Sequence, residues 1–137
     1  MYRQFVLLRI GLCLAVAAGF AAVQAGGIIN VFTPQNIAAA MAGGGLVQFR
    51  VSGTNTVTTP YQIVADTTVD ATGQKVLLSG GGASRIFVVK EGIQLTLVGI
   101  SMAGGKGTNG GAIYSQGTVV ATNCVFQGNS AKGTDGV

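Results

Sequence analysis

Between residues 95 and 126 the apolar positions alternate, skip two places and alternate again. Leu95-x-Leu97-x-x-Ile100-x-Met102 is followed 24 residues later by Val119-x-Ala121-x-x-Cys124-x-Phe126. Alternation puts Leu95 and Leu97 on one face of a strand. The skip at Val98-Gly99 or Thr122-Asn123 predicts a tight corner that returns the chain to the same interior, because Gly and Asn tolerate the left-handed conformation such a corner needs. A second echo carries Lys106-Gly107-Thr108-Asn109-Gly110 forward 26 residues to Lys132-Gly133-Thr134-Asp135-Gly136. A fixed period in this range means one structural unit stacked on itself.

The period of two, and the crowding of Val, Ile, Thr, Gly and Asn, disfavour an α-solenoid. The expected fold is all-β, a right-handed parallel β-helix. Each circuit of 24 to 26 residues lays its strands beside those below at about 4.8 Å and adds to a column of inward side chains. Handedness follows from the crossover rule for parallel strands. The expected interior includes Leu95, Leu97, Ile100, Val119, Ala121, Cys124 and Phe126. Strands are expected at 46–51, 62–69, 75–79, 85–90, 93–102, 112–115 and 118–126, with turns at 52–55, 70–73, 80–84 and 104–111.

Upstream, Thr33-Pro34 and the following residues to position 41 predict a short helix. Thr33 suits the N-cap and Pro34 the first turn; Ile37, Ala40 and Met41 share one face, and the glycines at 43–45 stop it. An open solenoid end exposes apolar side chains and unpaired strand edges, so this helix is read as an N-terminal cap.

The first 25 residues read as a secretory signal peptide. Arg3 and Arg9 supply a positive start, residues 10–22 are almost wholly apolar, and Val23-Gln24-Ala25 precedes a cleavage position before Gly26. The apolar run is short for a bilayer crossing, Cys13 lacks a lipobox context, and no later segment could span a membrane as a helix. Residues 26–137 are then one domain of about four circuits. Six basic residues face four acidic ones there, scattered along the chain, which argues against a nucleic-acid partner. Cys124 is the one cysteine left, so no intramolecular disulfide forms, and its inward position predicts a small buried apolar role. The chain stops where the first repeat continues into its next strand. Val119, Ala121, Cys124 and Phe126 are therefore expected to form an uncovered last rung, and the chain to be the N-terminal part of a longer passenger with further coils or a β-barrel.

Gly110-Gly111-Ala112-Ile113 and Phe126-Gln127-Gly128-Asn129 give the chain a resemblance to polymorphic outer membrane protein repeats, which carry GGA followed by Ile, Leu or Val, and an F-x-x-N tetrapeptide. The likeness covers roughly residues 86–136. It implies a surface-displayed or secreted β-helix passenger of a family associated with adhesion and autotransport, although that family's C-terminal β-barrel is absent. The same residues have structural readings of their own: Gly110 and Gly111 allow a sharp corner before Ala112 and Ile113 enter a strand, Phe126 fills the interior, and Asn129 caps a turn through side-chain bonds to backbone. Asn side chains at equivalent corners would stack into ladders.

Little else carries chemistry. Gly105-Lys106-Gly107-Thr108-Asn109-Gly110 fits the letters G-x-G-x-x-G, but a strand rather than a helix follows it. The absence of histidine excludes triads and histidine-based metal sites. Asp66 and Asp70 are the one close acidic pair, and their placement around an expected turn favours local hydrogen bonding over catalysis. The Thr-rich segment at 54–59 does not recur on later coils, as a hydroxyl array of the ice-binding kind would require. No catalytic residue, cofactor or metal ligand is assigned. The expected role is an exported, adhesin-like binding or structural passenger, at the outer membrane surface or outside the cell, whose partner is a host-surface protein or glycan. The alternatives are the N-terminal portion of an extracellular polysaccharide lyase or hydrolase of pectate-lyase-like fold, and a truncated product without function.

Overall fold

The computed structural model describes residues 26–133. The signal-peptide reading of residues 1–25, and the end of the second echo at 134–137, lie outside the described residues. The described chain is a parallel β-solenoid of about four turns with one short helix.

The elements follow in chain order. β1 (Gly27–Ile29) leads into α1 (Pro34–Met41); then come β2 (Gly45–Phe49), β3 (Gly53–Thr56) and β4 (Tyr61–Ile63), followed by β5 (Thr67–Asp70), β6 (Val76–Ser79) and β7 (Phe87–Val89). The next turn holds β8 (Gln94–Val98), β9 (Ile100–Ala103), β10 (Lys106–Gly107) and β11 (Ile113–Ser115), and the last β12 (Thr118–Thr122), β13 (Val125–Gln127) and β14 (Ser130–Ala131). Equivalent strands of successive turns pair in parallel. Sheet A stacks β1-β2-β5-β8-β12, sheet B β3-β6-β9-β13, sheet C β4-β7-β11, and β10 with β14 forms a short fourth pair.

The 24-residue echo is the physical register. Leu95 pairs with Val119, Leu97 with Ala121 and Met102 with Phe126. The corner between sheets A and B is left-handed where the pattern requires it, with Gly99 at φ 70° and Asn123, the one described non-glycine residue at positive φ, at 54°. The 26-residue echo is not a register. Lys106 pairs with Ser130, a step of 24, while Lys132 donates its N–H to the carbonyl of Gly107. A 26-residue step does occur in sheet C, where Phe87 pairs with Ile113.

Inward columns build one core. Val47, Val69 and Leu97 stack in sheet A, Leu78 and Met102 in sheet B, and Tyr61, Phe87 and Ile113 in sheet C. Leu97, Leu78, Met102 and Phe87 are fully buried. Two polar residues enter this interior with partners. The Asn55 amide donates to the Tyr61 hydroxyl (2.8 Å), and the Thr67 hydroxyl donates to the carbonyl of Ala65 (2.8 Å).

The helix forms as its sequence dictates. The Asn36 N–H donates to Thr33 Oγ1 (3.1 Å), Pro34 stands in the first turn, and Ile37, Ala40 and Met41 are its buried residues. It packs against β1 and β4. The Phe32 ring lies over Gly53 of β3 and against Phe49, 5.7 Å between centroids. Helix, ring and β1 together close the N-terminal end.

Several strand boundaries differ from the sequence pattern, among them β10, which forms inside the turn expected at 104–111. The expected strand at 62–69 divides into β4 and β5, because the chain corners from sheet C to sheet A at Val64-Ala65-Asp66 with neither Gly nor Pro to mark it. The turn-like residues 53–55 form β3, since pairing with β6 supplies main-chain partners and Tyr61 satisfies the inward Asn55. β1 pairs with β2 just upstream of the helix, a strand too short to show in the pattern.

Leu97 and its neighbour Thr96 separate interior from surface. Leu97→Ala is expected to destabilise the fold by about 2–5 kcal/mol in denaturant unfolding, and Thr96→Ala by no more than about 0.5 kcal/mol. Equal effects would contradict the assignment of faces.

Candidate functional site

The repeat-motif residues divide between two places. Gly110 makes the left-handed turn at φ 76°, and the Ala112 carbonyl beyond it accepts the N–H groups of Ile86 (2.8 Å) and Phe87 (3.0 Å). Ala112 is buried and Ile113 half-buried in β11. Gly111 lies directly beneath the next coil: a Cβ there would stand 2.6 Å from the backbone nitrogen of Ser130, so any side chain would displace β14. Asn129 comes to the same junction. The Gly105 N–H donates to its Oδ1 (2.7 Å), and its Nδ2 donates to the carbonyl of Met102 (3.1 Å). The side chain thus bridges backbone groups of the coil below rather than capping its own turn. No Asn ladder forms here, because Asn129 sits over Gly105.

Phe126 lies elsewhere, in β13 above Met102. It does not fill the interior: it is 47% exposed whereas Met102 is fully buried, because no described coil covers it. Cys124 is likewise only part-buried, its thiol directed at the carbonyls of Leu97 (3.5 Å) and Thr122 (3.4 Å).

The Gly-rich loop before β11 is built as a structural turn. Arg85 Nε donates to the carbonyls of Asn109 (3.2 Å) and Gly110 (3.2 Å), and its guanidinium lies 5.3 Å from the centre of the Tyr114 ring. Strand β5, not a turn, lies between Asp66 and Asp70, which is its last residue. Four residues of extended chain separate them by about 13 Å, beyond the roughly 5–9.5 Å of paired glycosidase carboxylates. Both are engaged locally. Asp66 Oδ1 accepts the N–H of Gln94 on the next coil (2.9 Å), and Asp70 Oδ1 accepts the N–H (2.9 Å) and the hydroxyl of Thr72. The Thr72 hydroxyl and N–H hold the Asp70 carboxyl below its ordinary value, against a small opposing effect of burial. Burial pushes the Tyr61 hydroxyl up, partly offset by the bond from Asn55. Among the described residues no group of three His, Cys, Asp or Glu side chains is placed to hold a metal ion.

A shallow groove of about 460 Å³ lies on the outer face of sheet B. Register builds it. Thr54, Leu77, Ser101 and Val125 follow one another across four turns as one outward column, and Ala103 and Gln127 of the neighbouring column border it. Gln74 and Lys75 stand at the rim where the chain turns into β6. Both are tied to the coil before, since the Ser52 hydroxyl donates to Gln74 Oε1 (2.9 Å) and accepts the Lys75 N–H (2.8 Å). The lining mixes hydroxyls, two amides and aliphatic side chains with one cation. It offers contacts repeated at the coil spacing and no pair of acid and base groups.

The sequence pattern did not single out this column. Its signal was present, since the outward positions repeat in the same steps as the inward ones, but Thr54 reads as part of a turn and outward residues need follow no apolar rule. Comparison with known protein families, curated proteins and solved structures finds no match. No helix among the described residues is long and apolar enough to cross a membrane.

Asp70 gives the turn after β5 a signature in acid. Its folded value lies below its unfolded one, so its contribution is full above the unfolded value of about 3.9 and is lost as pH falls through the folded value. Stability is expected to fall less steeply in this range for Asp70→Asn than for the parent, measured by urea unfolding at a series of pH values. Identical slopes would show that the Thr72 bonds do not favour the carboxylate.

Proposed function

We propose that the protein is an exported, non-catalytic β-solenoid that binds an extended partner, a surface protein segment or a glycan, along the outer face of sheet B. The groove carries this reading. Its main lining column runs in register through four turns, so one strip of surface presents hydroxyl and aliphatic groups, with amides beside them, at the regular spacing of stacked strands. An extended polymer meets such a strip as a series of similar subsites, and the stacked core beneath keeps them fixed. That rigidity lowers the ordering cost of binding.

Export is supported by the leader-like composition of residues 1–25, a basic start followed by an apolar run and small residues. A binding role in place of catalysis is supported by the local use of Asp66 and Asp70, whose carboxylates fix backbone groups at either end of β5. A place at the cell surface, in the manner of the passengers that the GGA-I and F-x-x-N segments resemble, completes the proposal.

The test is binding to glycan arrays and to cell-surface proteins, with Ser101→Trp as the blocking variant. Filling the middle of the groove is expected to weaken binding at least about tenfold, equivalent to roughly 1.4 kcal/mol. A matching change on the outer face of sheet A, Thr96→Trp, is expected to leave binding unchanged. Equal loss from both variants would remove the groove from the account. Cleavage of a polysaccharide by the purified protein, with or without calcium, would overturn the non-catalytic reading.

A further inference from the structure

One inward position of the solenoid breaks the apolar rule. Asn55 occupies in β3 the place that Leu78 and Met102 hold on the next two turns, and it is only 6% exposed. An amide enters such an interior at a cost unless its donors and acceptor are bonded. Among the described residues its side chain makes one bond, from Nδ2 to the Tyr61 hydroxyl (2.8 Å). That leaves Asn55 Oδ1 as an acceptor, and the Tyr61 O–H as a donor, without a partner among those residues. With the amide turned over, the phenol would donate to Oδ1 and leave an N–H beside a phenol lone pair, again a donor next to an acceptor. Burial pushes the Tyr61 hydroxyl up, so its proton stays in place at neutral pH.

Asn55 and Tyr61 both line a depression of about 170 Å³ between the corner from β3 to β4 and the capping helix. Pro34 and Ala38, one turn apart on α1, form one wall; Val57, Thr58 and Thr59 of the corner form the other. The Tyr61 ring is held against Phe87, 5.6 Å between centroids, which fixes its hydroxyl in place. The volume exceeds what one bridging water needs and falls below the roughly 300 Å³ at which pockets for drug-sized ligands begin. None of the described residues that line it is charged.

We propose that this pocket binds one neutral, hexose-sized sugar through its hydroxyl groups. The complement of an acceptor beside a donor is a hydroxyl, which donates and accepts at once. A sugar ring carries several, so that one engages Asn55 and Tyr61 while its neighbours meet the Thr58 and Thr59 hydroxyls, and its C–H groups lie on Pro34, Ala38 and Val57. A charged ligand would lose hydration here with no opposite charge to replace it, and an apolar one would leave the amide and the phenol unpaired. The helix then serves twice: Ile37, Ala40 and Met41 close the core, and Pro34 and Ala38 wall the pocket. The site shares no lining residue with the groove on sheet B, and the inference does not rest on the binding role proposed for that groove.

The test is an amide NMR titration of the purified protein with D-glucose, D-galactose and D-mannose, and with D-glucuronate as the charged comparison. At least one hexose is expected to give saturable shifts confined to residues 34–38 and 55–61, and glucuronate none. Ala38→Trp fills the pocket from an exposed position of α1 and leaves Asn55 and Tyr61 in place; it is expected to weaken binding at least about tenfold. Tyr61→Phe, which keeps the ring and removes the hydroxyl, is expected to weaken it by a similar factor. Ala39→Trp, exposed on the same helix but outside the pocket, and Ser101→Trp in the groove of sheet B are expected to bind as the parent does. Matching circular dichroism of the variants shows that folding is intact. No saturable shift with any of the three hexoses, shifts that survive Ala38→Trp, or equal binding of glucuronate would overturn the proposal.

Discussion

The structure depends on one constraint: each turn of chain must return to the same angular position with the same face inward. Parallel pairing between turns satisfies the main chain, and a slip of one residue would carry every inward side chain to the surface. Leu97 between Val69 and Ala121 illustrates it, as does Met102 between Leu78 and Phe126. Interior and exterior are set by the same register. The columns that bury Leu78 and Met102 necessarily align Leu77 and Ser101 outside, so the groove on sheet B is a by-product of core packing rather than a separate device.

That constraint explains which features were legible in the sequence. The third and fourth turns repeat with nearly identical spacing, and Gly99 and Asn123 mark the same corner in both, so the fold class could be read from residues 95–126. The helix was legible because Thr33, Pro34 and the face formed by Ile37, Ala40 and Met41 each carry a local rule. The earlier turns obscured the pattern. Their steps differ, with Gly45 pairing to Thr67 and Thr67 to Leu95, and their inward columns hold Asn55 and Thr67 where a hydrophobic reading looks for aliphatic residues. The Lys-Gly-Thr echo misled for a related reason. Glycine-rich loops repeat in composition without being held to register, and the paired β10 and β14 keep the 24-residue step.

The GGA-I and F-x-x-N segments gain a physical meaning from the stacking. Gly111 is small because Ser130 of the next coil lies on its backbone, and Asn129 reaches back to Gly105 and Met102. These residues fasten one turn to the next at the junction between sheets B and C, where the strands are shortest. Phe126 belongs to a different part of the design, the column above Met102, and its exposure reflects its place on the terminal rung.

Disulfide trapping across the third and fourth turns addresses the register most directly. With Cys124 replaced by Ser, the pair Thr96→Cys and Val120→Cys places two thiols on outward neighbours of β8 and β12, within the Cα separation of about 4.4–6.8 Å that a disulfide bridges. The account predicts rapid oxidation of this pair and little of Thr96→Cys with Thr122→Cys, two residues farther along the same face. Preferential bonding of the second pair, or failure of both, would contradict the stacking on which the fold and the groove rest.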